Sequence, residues 1–318
     1  MNLAERRQLD LRALETFRAV AANLSFTRAA DELGLAQSTV SAHVAALEDE
    51  LGVPLFDRLG RRIALTDAGE SLVGYAERLL HLEGEARTAV TDLTRAKGEV
   101  TGSIVVSAPE TLLTYRLPPL LSKVHARHPG VRITLRPSVI GRLVGEVLRG
   151  VMEGVVDVAF VMDEPRRVEG LAIEPLVREP VSVIAGRGHP LGSGRRVPPE
   201  ALRGQTVLLP EAPQSGCAYR AVFERQLAAA GAAPNDTLEF ASVEAVKGCV
   251  IAGMGVSALP TVAVRQEVKA GRLMALRWSE PFEVVTQMVW REGRWLSPAM
   301  RAFLETARTI YASSRSTG

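Results

Sequence analysis

Between Ser25 and Gly52 the apolar positions fall into two helical stripes separated by a tight connection. Ala29, Ala30 and Leu33 mark one face of a short helix over Thr27–Leu33, with Ser25 or Thr27 as its cap and Gly34 as its stop. Val40, Val44, Leu47 and Leu51 repeat at i, i+4, i+7 and i+11, which predicts a second helix from about Gln37 to Leu51 with one buried side. Its other side opens with Gln37, Ser38, Thr39, Ser41, Ala42 and His43, short groups that hydrogen-bond and are mostly uncharged. Such a helix suits a DNA major groove, although an ordinary helical hairpin carries the same stripes. Upstream, Leu11, Leu14, Phe17 and Ala21 predict a helix over 11–22, with Phe26 closing the same small core. Downstream, LFDR and RIALT read as two strands turning near Leu59-Gly60, with Arg58, Arg61 and Arg62 clustered around them. Three helices and a basic hairpin describe a winged helix-turn-helix, whose wing arginines reach phosphates or a narrow minor groove.

From Asp67 to about Arg95 the pattern becomes one long helix. Leu72, Leu79, Ala86 and Leu93 recur every seven residues, and Tyr75, Leu82 and Ala89 follow each by three. That is an a/d seam more than three heptads long, on a helix roughly 40 Å in length. One small domain cannot bury it. The seam therefore predicts an antiparallel dimer helix, with packing on the chain's own larger domain as the alternative.

Past the charged, glycine-containing break at 93–103 the periodicity changes again. Strands at Ile104–Ser107, Val131–Leu135 and Val156–Val161 alternate with helices around Leu117–Val124 and Arg142–Glu153. A second series starts near Val181–Ile184 and runs through Val207–Leu209, helix Cys217–Ala230, Thr237–Phe240, helix Val243–Ala252 and Val256–Leu259. A strand at Val284–Trp290 and a helix at Ser297–Tyr311 return to the first lobe. The alternation predicts a parallel sheet covered on both faces.

These residues carry a resemblance. Phe17, the SFTRAADEL run from Ser25 to Leu33, Gln37–Ser41, Leu47-Glu48, Leu51-Gly52, Leu55–Arg58 and Leu65–Gly69 are similar to the LysR-type transcriptional regulators. GHPL (188–191) and GMGVSALP (253–260) extend the likeness, with less specific motifs, over nearly the whole chain. The resemblance implies an α/β multidomain protein: an N-terminal winged helix-turn-helix (1–66), a long dimerisation linker helix (67–96) and a C-terminal two-lobed periplasmic-binding-protein-like α/β effector domain (97–318). Lobe I would take about 103–175 and 282–312, and lobe II 176–281. Double-stranded DNA, a small-molecule effector and a second copy of the chain are the implied partners, the dimers pairing into a homotetramer. The family commonly has Pro, Arg and Gln where this chain has Ser38, Ala42 and His43. The missing arginine removes a guanine or phosphate contact.

Ligands of open α/β sheets bind beyond the carboxyl ends of the strands, where helix N-termini supply free N–H groups. That rule selects Ser107, Pro109 and Thr111 after the first strand, Ser138 after the second and Met162 after the third. In the other lobe it selects Gln214, Ser215, Gly216, Cys217 and Ser242. Converging hydroxyls and amides suit a small anion or carboxylate, with Glu110 an unfavourable neighbour. Helix capping by the same residues is the plainer alternative.

Composition narrows the classes without choosing among them. With 47% hydrophobic and 23% charged residues the chain is a globular protein of two or three domains. No run has membrane-spanning length, and MNLAERRQLD lacks a secretory apolar segment, so a cytoplasmic protein is expected. Residues 1–100 carry 12 Lys and Arg against 16 Asp and Glu, so bulk charge does not draw this end to DNA. Cys217 and Cys249 have no metal-ligand spacing; Cys217, at a helix start, admits redox sensing as an alternative. The His125 and His128 pair reads as solvated, and no cofactor or metal is expected. G-x-S-x-G, H-E-x-x-H and P-loop signatures are absent, so no enzyme is predicted. A binding protein or α/β enzyme with a helical appendage, and a nucleoid-type protein binding DNA without sequence preference, remain the rivals.

Overall fold

The computed structural model describes residues 9–59, 62–92, 100–137, 144–165, 167–192, 194–210 and 216–315. Two compact units divide the chain, Met1–Arg95 and Ala96–Gly318.

The first unit runs α1 (Leu11–Asn23), α2 (Phe26–Leu33), α3 (Gln37–Leu51), the antiparallel hairpin β1 (Phe56–Leu59) and β2 (Arg62–Leu65), and α4 (Asp67–Asp92). Asp10 caps α1 and Ser25 caps α2, each accepting a first-turn N–H, while Gly34 and Gly52 end α2 and α3 in the left-handed region. Leu59 lies in β1, paired with Arg62, rather than in the turn. The core is built around Phe56, whose ring lies 5.4 Å from that of Phe17 and 5.8 Å from that of Phe26. Leu14, Val40, Val44, Leu47 and Leu55 fill the remainder.

The sequence motifs at the wing's base act as fasteners. Glu48 Oε1 accepts the Leu55 and Phe56 N–H groups at 2.7 and 3.2 Å, tying the end of α3 to β1. Thr66 donates its hydroxyl to Pro54 O and accepts from Gly69 N–H, starting α4. Gly69 is required by space: a Cβ there would lie 2.2 Å from Leu55 O. Gly69→Ala gains about 1 kcal/mol of helix propensity but loses about 3 kcal/mol to the clash. A net destabilisation of about 2 kcal/mol is expected in urea unfolding of this unit; a raised midpoint would show that the backbone yields instead.

The second unit opens with β3 (Gly102–Ala108), α5 (Glu110–Tyr115), α6 (Leu117–Arg127), β4 (Val131–Pro137), α7 (Val144–Met152) and β5 (Val158–Asp163). One long strand, β6 (Leu171–Gly186), leads into lobe II. There follow β7 (Arg196–Val197), β8 (Thr206–Pro210), α8 (Ala218–Ala229), β9 (Asp236–Phe240), α9 (Val243–Ile251), β10 (Val256–Pro260), α10 (Thr261–Lys269), β11 (Leu273–Ala275) and β12 (Arg277–Trp278). The strand β13 (Glu283–Arg291) and helix α11 (Pro298–Arg315) complete lobe I.

The expectation of a parallel sheet holds within each lobe's βα series and is corrected where the lobes join. Strands run β4-β3-β5-β13-β6-β10-β8-β9 in one sheet through both lobes; β4, β3 and β5 are parallel, but β13 is antiparallel to β5 and β6, and β10 to β6. Two prolines explain why the full length of β6 escapes a sequence reading. Pro175 sits where the β6–β13 register shifts, and Pro180 is the last β6 residue paired with β13 before Val181 pairs with β10. A residue without an N–H is tolerated at such breaks in the ladder and not elsewhere in a central strand.

Candidate DNA-reading helix and effector cleft

Helix α3 turns Val40, Val44 and Leu47 into the core, leaving Gln37 and Ser38 exposed and Thr39 and Ser41 half-buried. Gln37 Nε2 donates to Ser41 Oγ at 3.1 Å, which pre-positions the glutamine along the helix. Ala36, at the N-cap, supplies no side-chain acceptor; Thr39 N–H turns back to Ala36 O at 3.0 Å, and the Gln37 and Ser38 amides remain open to an external anion. His43 departs from the expected groove-facing set. Its Nδ1 lies 3.0 Å from Thr16 Oγ1 on α1, and that hydroxyl also bonds Arg12 O at 2.8 Å. In the tautomer that carries its proton on Nδ1, His43 donates to Thr16 while the hydroxyl's single hydrogen goes to the carbonyl. His43 thereby braces α3 against α1. Arg58 and Arg62 lie on β1 and β2, opposite Ile63 and Leu59 respectively; Arg61 falls outside the described residues.

Along α4, Ala76 is fully buried, and Leu72, Val73 and Leu80 pack against the first unit's core. Leu72, expected in the seam, is thus used internally, because the first turns of α4 must cover α1. The rest of the seam is bare: Tyr75 is 57% and Leu82 58% exposed, with Leu79 and Ala86 also open to solvent. Leu93 lies outside the described residues.

In the second unit, the turn after β3 faces the head of α9 across the lobes. Glu110 Oε1 accepts from Ser242 Oγ at 2.9 Å, and Oε2 accepts from Val243 N–H at 2.9 Å. Ser242 is therefore occupied, capping α9 and holding Glu110. One turn along α5, Tyr115 hydrogen-bonds Glu244 and accepts from Lys247 Nζ at 2.7 Å; Lys247 also pairs with Glu267 at 3.0 Å. Burial alone would lower the Lys247 pKa, but hydrogen bonds to Tyr115, Glu267 and Glu244 outweigh it and hold it at about 12. Burial and the Glu244 bond push the Tyr115 hydroxyl up, so at neutral pH it is a neutral donor beside a charged ammonium.

Of the expected ligand residues, Ser107 and Thr111 flank Glu110 and are nearly enclosed, at 5% and 2% exposure. Pro109 is the N-cap of α5, with no side chain to satisfy the helix start. Met162 belongs to the hydrophobic core, paired across the ladder with Thr286. Gly216 takes a left-handed φ of 76° and leads into Cys217, the half-buried N-cap of α8; neither Cys217 nor Cys249, also half-buried, is in a disulfide. Ser138, Gln214 and Ser215 lie outside the described residues. A separate apolar groove of about 420 Å³, lined by Val207, Leu209, Leu227 and Pro234, lies between α8 and the β8–β9 edge of lobe II. Tyr115 and Lys247 are the participants that sequence reasoning missed. Only the i, i+3 spacing of Glu244 and Lys247 hinted at them.

Among the described residues, no helix is long and apolar enough to cross a membrane, and no group of His, Cys, Asp and Glu is arranged to hold a metal.

Comparison with known proteins accounts for both units. Residues 11–70 match the family model described as bacterial regulatory helix-turn-helix protein, lysR family, and residues 97–311 match the LysR substrate binding domain. The HTH-type transcriptional regulator YwqM of Bacillus subtilis strain 168 is 35% identical over 303 residues, 95% of this chain and 100% of that protein. The regulator CbbR of Rhodospirillum rubrum is 35% identical over 305 residues, 93% of this chain and 96% of that one. Full-length CbnR, solved with its target DNA, has the same fold with a TM-score of 0.68 at 23% identity, covering 95% of this chain and 99% of its own. These relatives are transcriptional regulators and not enzymes. A helix-turn-helix with an open reading helix, joined to a two-lobed ligand-binding fold and matched over both, belongs to a DNA-binding transcriptional regulator with an effector-binding domain: the chain is a member of the LysR family.

Proposed function

We propose that this regulator binds specific promoter sequences as a homodimer, two dimers pairing as a tetramer, and that a small anionic effector, carrying a carboxylate, controls it. The observation that carries the reading is the first turn of α3, where Gln37 and Ser38 are exposed and the amides lack a side-chain cap. In this reading Gln37, Ser38, Thr39 and Ser41 meet base edges and phosphates, His43 orients the helix, and Arg58, Arg61 and Arg62 hold the backbone from the wing. Residues 1–66 read DNA, 67–96 pair the subunits, and 97–318 bind the effector in the cytoplasm. The effector sits between the lobes near Ser107 and Thr111, with Ser138, Gln214, Ser215 and Cys217 as the expected remainder of its lining. Its differential affinity for two lobe arrangements shifts the spacing of the paired DNA-binding units.

Footprinting on the chain's own upstream region, against scrambled competitor, tests the DNA half. A discrete protected segment is expected, with Gln37→Ala and Ser38→Ala each weakening it about tenfold. Uniform coverage without a boundary would point to nonspecific binding. For the effector half, calorimetry with a panel of small carboxylates is expected to find a ligand whose affinity drops on Thr111→Val; unchanged affinity removes Thr111 from the site.

A further inference from the structure

The head of α9 is a ready-made carboxylate site. Ser242 Oγ and the Val243 N–H converge there, and Lys247 lies one turn further along the helix. The carboxylate that fills it belongs to the chain itself. Glu110 reaches from lobe I, 133 residues away in sequence, and uses both oxygens, one on each donor, as a bound monocarboxylate would. The turn bearing Glu110 also bears Ser107 and Thr111, both more than nine-tenths buried. Neither hydroxyl has a hydrogen-bond partner among the described residues. Neither oxygen is among the enclosed side-chain atoms that lack a partner, so each opens onto space that a solvent or ligand group can reach.

We propose that Glu110 is a tethered competitor for the effector. In the effector-free chain it fills the carboxylate site of α9 in cis; a carboxylate ligand binds by displacing it, with Ser107 and Thr111 meeting the ligand's polar remainder. This rests on the reading of the interlobe cleft as the effector site. A tethered group acts at an effective concentration of millimolar or more, so weakly binding carboxylates are shut out. A true effector gains enough from its other contacts to win. Displacement also releases one tie between the lobes, leaving among the described residues the Tyr115–Lys247 and Tyr115–Glu244 bonds and the Arg225–Glu164 pair.

Acetate is the probe, because it offers the carboxylate and little else. Hydrogen exchange of the peptide covering 241–251 is followed in the full chain for wild type, E110Q and E110A. Sodium acetate is titrated against sodium chloride at matched ionic strength. In E110A the first turn of α9 is expected to exchange on the order of tenfold faster than in wild type. Acetate should restore its protection saturably while leaving wild type unchanged. E110Q keeps an acceptor oxygen without the charge and should fall between them. If E110A exchanges like wild type, or acetate acts on all three alike, the proposal is overturned. Should E110A fail to fold, E110Q against wild type carries the same comparison. The readout involves no DNA. Acetate rescue in a protein that footprints no promoter would therefore sink the regulator reading and leave this inference standing, and the converse result would do the opposite.

Discussion

Alanine at Glu179 is expected to destabilise the second unit by about 3–5 kcal/mol, seen as a lower urea midpoint with little change in slope. Glu179 is fully buried on β6, one residue before the strand passes from β13 to β10. Its carboxylate accepts from Arg116 Nε at 2.7 Å, Arg116 Nη2 at 2.6 Å and Thr286 Oγ1 at 3.0 Å. The Arg116 carbonyl in turn accepts from the Tyr311 hydroxyl at 2.9 Å, so the junction of α5 and α6, the crossover strand, β13 and α11 share one polar knot. Removing the carboxylate leaves a largely buried guanidinium with no counter-charge there, which is worse than having neither group. The paired replacement Arg116→Met with Glu179→Met is therefore expected to recover most of the loss. A single-variant cost under 1 kcal/mol would show that water takes over the role of the carboxylate.

Leu82→Glu is expected to separate the subunits without unfolding them. Leu82 is more than half exposed and outside the first unit's core, so helix content and melting of the monomer should hold. Sedimentation should report a single chain. Promoter affinity should fall about 10²–10⁴-fold, because the second DNA-binding unit is no longer delivered at a high effective concentration. Tyr75→Glu, on the same stripe, should act in the same direction. Leu72→Glu should instead unfold the first unit, since Leu72 packs into that unit's own core. A dimer that survives Leu82→Glu would move the interface off α4.

The difference between Leu72 and Leu82 illustrates how far a pattern can be read. A heptad stripe states which residues share a helix face, but α4 serves two masters along its length. Leu72, Val73, Ala76 and Leu80 turn inward to that unit's core, while Tyr75, Leu79 and Leu82 on the neighbouring face stay exposed. The helix-turn-helix itself is legible almost to the residue, because its stripes, caps and glycine stops are contacts between residues three to eight apart. His43 is the exception there: its tie to Thr16 spans 27 positions and gives the residue a bracing contact that the local pattern does not show.

Local order, then, was written in the linear pattern: the three helices, the hairpin, the long α4 and the alternating elements beyond residue 100 each follow from short-range periodicity and punctuation. Long-range partners were not. Periodicity is blind to pairs such as Arg116 with Glu179, 63 residues apart, and Glu110 with Val243, 133 apart, because nothing in either neighbourhood depends on the other until the sheet brings them together. Strand direction escaped for the same reason, since β13 returns from lobe II to lie antiparallel between β5 and β6. Glu110 shows the consequence for function. In the linear chain it is a charge that repels an anion, and in the folded one it is the anion.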